Sequence, residues 1–265
     1  MAFFPLLNTN KASGFCTIHN FPPNDWELYD RSEKSVWALY SNGEKWISKF
    51  LVKLKIGESK EINHKDIFNG EFYGEKGKYP LIILQFRKTS LDKKLSYTPT
   101  HEFVYNKVPE WRATVGLKLN QTRASYQGEI NPFPTNASLL TFHPFIQYKN
   151  VENYFLFVNL EKSPFFRATE IEIYEAKAKK FIDSFKVFSN SCNLINLDNY
   201  RFSQDELPVF VCRNMAGIPF GLGISKKTDM ISLEHTHPPA SFVVHGDRFK
   251  LQNKIKRDWF SILKK

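Results

Sequence analysis

Short segments in which apolar and polar residues alternate recur along most of this chain, and they constrain its fold more than any other feature. In KFLVKLKI, Phe50, Val52, Leu54 and Ile56 alternate mainly with lysines, which predicts a half-buried strand with these four side chains on one face. The segment YPLIILQF, residues 79–86, is nearly continuously apolar and predicts a more deeply buried strand. Because helical periodicity is scarce before the C-terminus, we expect a mostly β protein with antiparallel, sandwich-like sheets.

Two stretches of the chain resemble each other. Residues 116–134 align without a gap with residues 221–239, at an offset of 105 residues. The identical pairs are Gly116 and Gly221, Leu117 and Leu222, Glu129 and Glu234, and Pro134 and Pro239. The same offset pairs Phe50 with Phe155 and Leu51 with Leu156. We therefore predict two tandem β-sandwich-like units; the alternative is one irregular β domain with accidental similarity.

The repeat suggests a division of the chain into four parts. We expect an N-terminal extension over residues 1–35, a first β unit over 36–135, a second β unit over 136–245 and a C-terminal basic amphipathic helix over 246–265.

The composition limits the class of protein. The chain has 265 residues, of which 42% are hydrophobic and 24% charged, and this excludes a wholly disordered protein. The net charge of +10 indicates either a solvated basic surface or an anionic partner such as nucleic acid, phospholipid or an acidic glycan.

Three cysteines, Cys16, Cys192 and Cys212, are odd in number and far apart, which does not fit a disulfide framework or a zinc cluster. No apolar run is long enough to span a bilayer, and the first residues lack the basic segment of a signal peptide. We therefore expect a cytoplasmic protein.

The segment RASYQGEIN, residues 123–131, predicts a strand with one polar face. Its odd positions place one set of polar side chains on that face: Arg123, Ser125, Gln127, Glu129 and Asn131. The even positions, which include Tyr126, would pack against the protein. This mixture of hydrogen-bond donors and acceptors suits a hydroxyl-rich or amide ligand, whereas the simpler interpretation is a solvated strand. In the repeat alignment, Glu234 is the equivalent of Glu129.

The segment EHTHPP contains candidate metal ligands. In a regular strand His235 and His237 share one face, and Glu234 points to the other. With His245 as a third ligand, the two imidazoles would form a site of the catalytic zinc type. The alternative is that the histidines end a strand and only form hydrogen bonds.

Residues 235–238, His-Thr-His-Pro, are similar to the core motif of the JAMM-type metalloproteases, and Asp247 lies near the spacing of that family's aspartate. The resemblance implies zinc-dependent hydrolysis. The serine expected just before the aspartate is absent, and the family's glutamate lies far upstream, so its role does not pass to Glu234. The α/β/α fold of that family also differs from the β-rich pattern of this chain.

The same histidines are similar to the His-x-His of the cupin motif. The glutamate of that motif would fall near Ser241 or Phe242 and is absent. The two prolines after His237 would also end the strand early.

The C-terminal residues predict a basic amphipathic helix. Leu251, Ile255, Trp259 and Ile262 recur at helical spacing and form one apolar stripe, which Phe260 and Leu263 broaden. Such a helix either docks on a sheet or meets an anionic membrane surface or a partner protein.

Three functions follow from these patterns. The first is a ligand-binding protein that holds a carbohydrate or another polar molecule on the residue 123–131 strand. The second is a metal-dependent hydrolase that uses His235, His237 and His245. The third is a scaffold protein that associates through its sheet edges.

Overall fold

The chain folds as a mostly β protein with antiparallel sheets and a C-terminal helix, as predicted. The computed structural model describes residues 2–7, 9–21, 32–68, 81–86, 90–99, 113–143, 149–203, 205–235 and 248–265.

The first half of the chain forms two sheets. Its elements are β1 Ala2–Leu6, β2 Ser13–His19, β3 Lys34–Ser41, β4 Trp46–Leu54, β5 Ser59–Asn63, α1 His64–Ile67, β6 Leu81–Phe86, β7 Lys94–Leu95, β8 Ala113–Leu119 and β9 Thr122–Gly128. Sheet A has the strand order β1-β6-β3-β4-β7, and sheet B has the order β5-β2-β8-β9. Every strand pair within them is antiparallel.

The second half forms two more antiparallel sheets, followed by a helix. Its elements are β10 Leu139–Phe142, β11 Val151–Val158, β12 Ala168–Glu175, β13 Lys180–Phe188, β14 Cys192–Asn196, β15 Pro208–Cys212, β16 Ile218–Ser225, β17 Ile231–His235 and α2 Arg248–Ile262. Sheet C has the order β14-β11-β16-β17, and sheet D has the order β10-β15-β12-β13. Apart from β7, each strand of sheets A and B has a counterpart at the same place in sheets D and C.

We expected residues 1–35 to form an extension outside the β units, and for the residues that the structure describes this prediction is wrong. The first strand pairs with β6 in sheet A, and β2 lies between β5 and β8 in sheet B. The apolar side chains of β1 and β2 belong to the main core, so this region is part of the first pair of sheets.

The strand predicted at residues 50–56 also differs from expectation. Between Val36 and Trp37, the partner on β4 shifts from Val52 to Phe50, which leaves Leu51 as an extra residue. This bulge places Phe50 on the opposite face from Val52 and Leu54. Alternation read from the sequence assumes a regular strand, and a bulge breaks that assumption.

The core joins the two halves of the molecule. One cluster of buried apolar side chains takes members from sheets A, B and C, among them Leu39, Val115 and Leu156. A second cluster lies between sheets C and D and includes Phe155 and Phe210, whose rings stack at 4.3 Å. Sheet C is therefore covered on both of its faces.

The loop between β11 and β12 also connects the halves. Trp46 Nε1 donates to the carbonyl oxygen of Lys162 at 3.0 Å, and the Ser41 hydroxyl donates to that of Pro164 at 2.5 Å. Within the loop, the buried carboxylate of Glu161 accepts two hydrogen bonds from Arg167, at 2.5 Å and 3.1 Å. This two-point contact fixes the loop in the geometry that reaches sheet A.

The C-terminal helix docks on the outer face of sheet D. Leu263 is fully buried there, and Trp259 and Phe260 are partly buried against Tyr174 and Val211. The helix therefore packs through a different side from the predicted apolar stripe, because two residues of that stripe, Ile255 and Ile262, are 37% and 42% exposed.

Arg213 holds the end of this helix. Its guanidinium donates to the carbonyl oxygens of Phe260, at 3.2 Å, and of Leu263, at 2.5 Å. It also pairs with Glu172 of β12 at 3.2 Å. Carbonyls in the last turn of a helix lack partners within the helix, and a cation there is favourable.

We predict that Arg213→Ala lowers the free energy of unfolding by about 1–3 kcal/mol, because it removes charge-assisted hydrogen bonds to the helix end. Chemical denaturation followed by circular dichroism measures this loss. Arg201→Ala is the control, since within the described part of the chain that exposed arginine bonds only to carbonyls of its own loop. Equal stability of the two variants would contradict the role of Arg213.

Candidate functional site

The polar face predicted on β9 is present. Arg123, Ser125 and Gln127 are exposed, whereas the residues between them are partly buried. Tyr126 points to the opposite side, where its ring meets Phe220 at 5.0 Å. The strand therefore separates a solvent-facing polar row from a packed row.

A tight turn sets this register. The strands β8 and β9 pair from Ala113 and Gly128 to Leu119 and Thr122, which leaves only Asn120 and Gln121 in the turn. Asn120 has a φ of 50°, a left-handed conformation that asparagine tolerates better than most residues. A one-residue slip would turn Arg123 toward the core, and the short turn prevents it.

The polar row continues across sheet B. Gln127 pairs with Thr114, Thr114 pairs with Thr17, and Thr17 pairs with Glu61. Paired residues of an antiparallel sheet project on the same side, so the four side chains form a row across β9, β8, β2 and β5. We call this solvent-facing side of sheet B the polar face. Besides the row, it holds Arg123, Ser125, Ser13, Lys118 and Asn63.

Arg123 lies across this face. Its Nη1 is 2.5 Å from Oε2 of Glu61 on β5, at the far edge of the sheet, and its guanidinium lies 5.1 Å from the centre of the Phe15 ring. Gly116 makes room for that ring, because a Cβ at residue 116 would lie 2.8 Å from it. Both members of the ion pair are about half exposed, so the pair adds little stability.

Glu129 and Asn131 lie beyond the strand, which ends at Gly128. Both are exposed, and between them Ile130 is buried and donates its N–H to the carbonyl oxygen of Phe3 at 2.9 Å. The polar row on β9 therefore ends at Gln127 and does not include Glu129 and Asn131 as predicted, because the chain turns toward sheet A after Gly128.

Glu234 does not belong to the polar face. It pairs with Gly221 on the side of sheet C that faces sheet D, whereas the opposite sides of β9 and β17 contact each other through Tyr126 and His235. Arg123 and Glu234 therefore point away from each other.

The residue-by-residue repeat alignment fails for the same reason. Gly116 and Gly221 lie in corresponding strands, but Gly116 is on the outer side of its sandwich and Gly221 on the inner side. The residue opposite Gly221 is Glu234, and the one opposite Gly116 is Ser125 rather than Glu129.

The Phe50 and Phe155 match of that alignment is accidental. Phe50 lies in β4 of sheet A, and Phe155 lies in β11 of sheet C, and these strands do not occupy corresponding positions.

Of the three predicted metal ligands, the described residues include only His235. Its ring is packed against the rings of Tyr126, at 5.3 Å, and Phe220, at 5.2 Å. It lies on the opposite side of β17 from Glu234, the geometry expected of a regular strand. His237 and His245 fall outside the described residues, within which no group of three or more potential ligands could hold a metal ion. The zinc site stays a prediction.

The Tyr126 side chain is partly buried, and its hydroxyl is fully buried where sheets B and C meet. Burial raises the pKa of its phenol, and the nearby thiols of Cys16 and Cys192 raise that pKa further. Its hydroxyl has no hydrogen-bond partner among the described residues. This side chain therefore contributes to packing as a neutral phenol.

Sequence reasoning missed a second buried ring, that of His143. The ring is 3% exposed and meets Phe155 and Phe210 edge-on at 5.2 Å and 5.9 Å. A Cβ at Gly221 would lie 2.6 Å from its Nε2, so the glycine makes room for the imidazole. The only available signal was the inward position of residue 143 in the alternation that follows Leu139.

Burial lowers the pKa of His143 to about 4, because the charged imidazole is poorly solvated among aromatic rings. A histidine with a depressed folded-state pKa binds its proton more weakly in the folded than in the unfolded protein. Its contribution to stability is therefore complete above the unfolded pKa of about 6.5 and is lost as the pH falls toward 4.

We predict that the His143 ring stays neutral down to about pH 5, and that NMR titration of its imidazole gives a midpoint well below the ordinary value of about 6.5. Acidification from pH 6.5 to 4 should destabilise the native protein by about 3 kcal/mol more than it destabilises His143→Gln. A midpoint near 6.5 would contradict the buried, unsolvated environment of this ring.

No helix among the described residues is long and apolar enough to cross a membrane. Comparisons with protein-family models, with curated proteins and with solved structures find no match to this chain.

Proposed function

We propose that the protein binds a polar, hydroxyl-rich ligand on the polar face of sheet B, and that a glycan is the best candidate. The observation that carries this proposal is the unbroken row from Gln127 through Thr114 and Thr17 to Glu61, with Arg123 beside it. Amide, hydroxyl, carboxylate and guanidinium groups offer both donors and acceptors, as the hydroxyls of a sugar require.

An exposed aromatic ring at the end of β2 supports the glycan in particular. Phe21 is 58% exposed, and its ring lies 5.9 Å from that of His19. His19 shares the odd-numbered side of β2 with Thr17, so the aromatic pair lies at the end of the polar face. An apolar ring beside directional polar groups suits a sugar, which has both C–H faces and hydroxyls.

The Arg123–Glu61 pair gives the polar face a defined shape before a ligand arrives. The arginine uses two of its donors on Glu61 and rests on Phe15, which leaves further N–H groups for a ligand. Ordering this side chain in advance lowers the entropy cost of binding.

The proposal includes an origin of the fold by duplication. The matching strand orders of sheets A and B and of sheets D and C support it. In this view the second unit lost its outer polar face, because the first unit covers that side of sheet C. Cys16, Cys192 and Cys212 are unpaired thiols, which supports a reducing, cytoplasmic location.

We predict that Arg123→Ala lowers glycan affinity at least about tenfold, because it removes charge-assisted hydrogen bonds to the ligand. The measurement is retention on an array of immobilised neutral and acidic glycans, followed by titration calorimetry with the glycan retained most strongly.

Lys53→Ala is the matched control, because Lys53 also belongs to an exposed ion pair, with Glu33, but lies on β4. It should bind as the intact protein does, and both variants should keep the wild-type melting temperature. Retention of no glycan by the intact protein, or equal retention by Arg123→Ala and the control, would overturn the proposal.

A further inference from the structure

Two basic side chains lie directly opposite each other at one corner of the polar face. In the antiparallel pair of β8 and β9, the partner of Lys118 is Arg123. Paired residues project on the same side of a sheet, and like charges in that position destabilise the pair of strands. Arg123 is bound to Glu61, but the exposed Lys118 forms no ion pair with any described residue. Fold stability therefore does not explain the choice of a lysine here.

Two serine hydroxyls border the same corner. Ser13 of β2 is the other strand partner of Lys118, and Ser125 follows Arg123 on the exposed side of β9. Both serines are exposed, and neither hydroxyl has a hydrogen-bond partner within the described part of the chain. Hydroxyl, ammonium and guanidinium groups all donate hydrogen bonds, so the four side chains offer donors to one oxygen anion. We call Ser13, Lys118, Arg123 and Ser125 the basic corner.

The Arg123 guanidinium is held in place but keeps free donors. It lies 5.1 Å from the centre of the Phe15 ring, and its contact with Glu61 uses one N–H from each of Nη1 and Nη2. An arginine has five N–H donors, so others remain for a ligand. Glu61 is on β5, which β2 separates from the strand that carries Lys118. The carboxylate thus compensates Arg123 from the far edge of the sheet and leaves the charge of Lys118 unmatched.

We infer that the basic corner is an anion subsite, and that the ligand of the polar face is a glycan with a carboxylate or sulfate group. The inference rests on the proposed function, because it names the class of glycan that the polar face binds. An anion between Lys118 and Arg123 replaces the repulsion of two cations by attraction to a shared charge. The hydroxyls of Ser13 and Ser125 complete its hydrogen bonds.

The rest of the row favours an isolated anionic group over a polyanion. Gln127, Thr114 and Thr17, which lead from β9 toward β5, are uncharged, and Glu61 at the end of the row is negative. A nucleic acid carries a phosphate at every nucleotide and is bound through several lysines and arginines. A sugar chain with one acidic group matches this face better, because its hydroxyls can meet the uncharged row while its anion lies at the basic corner.

The test uses immobilised oligosaccharides in pairs that share one neutral chain and differ by a single sialic acid or a single sulfate. The intact protein should retain the acidic member of at least one pair about tenfold more strongly than the neutral member, and added salt should reduce this preference. Pairs of both kinds separate a carboxylate ligand from a sulfated one. Lys118→Gln should lose most of the preference, because it removes the uncompensated charge, and Lys118→Arg should keep it.

Lys94→Gln is the matched control, because Lys94 is also an exposed strand lysine without an acidic partner among the described residues, but it lies on β7 of sheet A. It should keep the preference, and all three variants should keep the wild-type melting temperature. Equal or weaker retention of the acidic member of every pair by the intact protein would overturn the inference and leave the proposed function standing. Retention of no glycan would overturn both. An unchanged preference in Lys118→Gln, or the same loss in Lys94→Gln, would also overturn the inference.

Discussion

The contact between sheets B and C decides how the rest of the molecule is arranged. Tyr126 of β9 lies against Phe220 and His235 of sheet C, and the surrounding cluster also includes side chains of sheet A. A sandwich of two four-stranded sheets normally leaves the outer side of each sheet in water. Here the outer side of sheet C is apolar and is buried on the first unit, so the hydrophobic effect holds the two units together.

This contact explains where a site can be. Sheet C is covered by the first unit on one side and by sheet D on the other, and α2 covers the outer side of sheet D. The outer side of sheet B, by contrast, carries the row from Gln127 to Glu61 and the Arg123 side chain in contact with water. The polar face is thus the side of a sheet that the assembly of layers leaves open to water.

The sequence was most informative where burial is one-sided and the strand is regular. The alternation in residues 122–128 placed Arg123, Ser125 and Gln127 outside and Tyr126 inside, because side chains of a regular strand must alternate. Two-sided burial was also visible, since the continuously apolar segments of β15 and β16 are buried along most of their length. The sequence alone showed that the exposed residues of β9 are polar. It did not show which residues of β2, β5 and β8 lie beside them, since strand pairing is set by the tertiary fold.

Other features depended on contacts between distant residues. A bulge opposite Val36 and Trp37 reversed the faces of β4 that alternation predicted. The helix turned toward Leu263 rather than Ile255, because Arg213 and the outer side of sheet D fix its rotation. The tandem repeat stays a prediction. The strand orders of sheets A and B match those of sheets D and C, but the predicted residue-by-residue alignment does not hold, since nothing local records which side of a sheet faces a neighbouring sheet. The ring of His143 was missed because a single histidine in an apolar segment has no local pattern that marks burial.

The central claim is that the two units form one cooperative structure around the contact of Tyr126 with sheet C. Hydrogen exchange measured by mass spectrometry on the native protein and on Tyr126→Ala tests it most directly. If the units unfold together, the slowest amides of β3 in the first unit and of β12 in the second should exchange with the same free energy of opening. Loss of the aromatic side chain should then speed exchange of both by the same factor, about a hundredfold or more. Faster exchange in β8 and β9 alone, with β12 unchanged, would contradict the account, because it would show that the second unit is stable without the first.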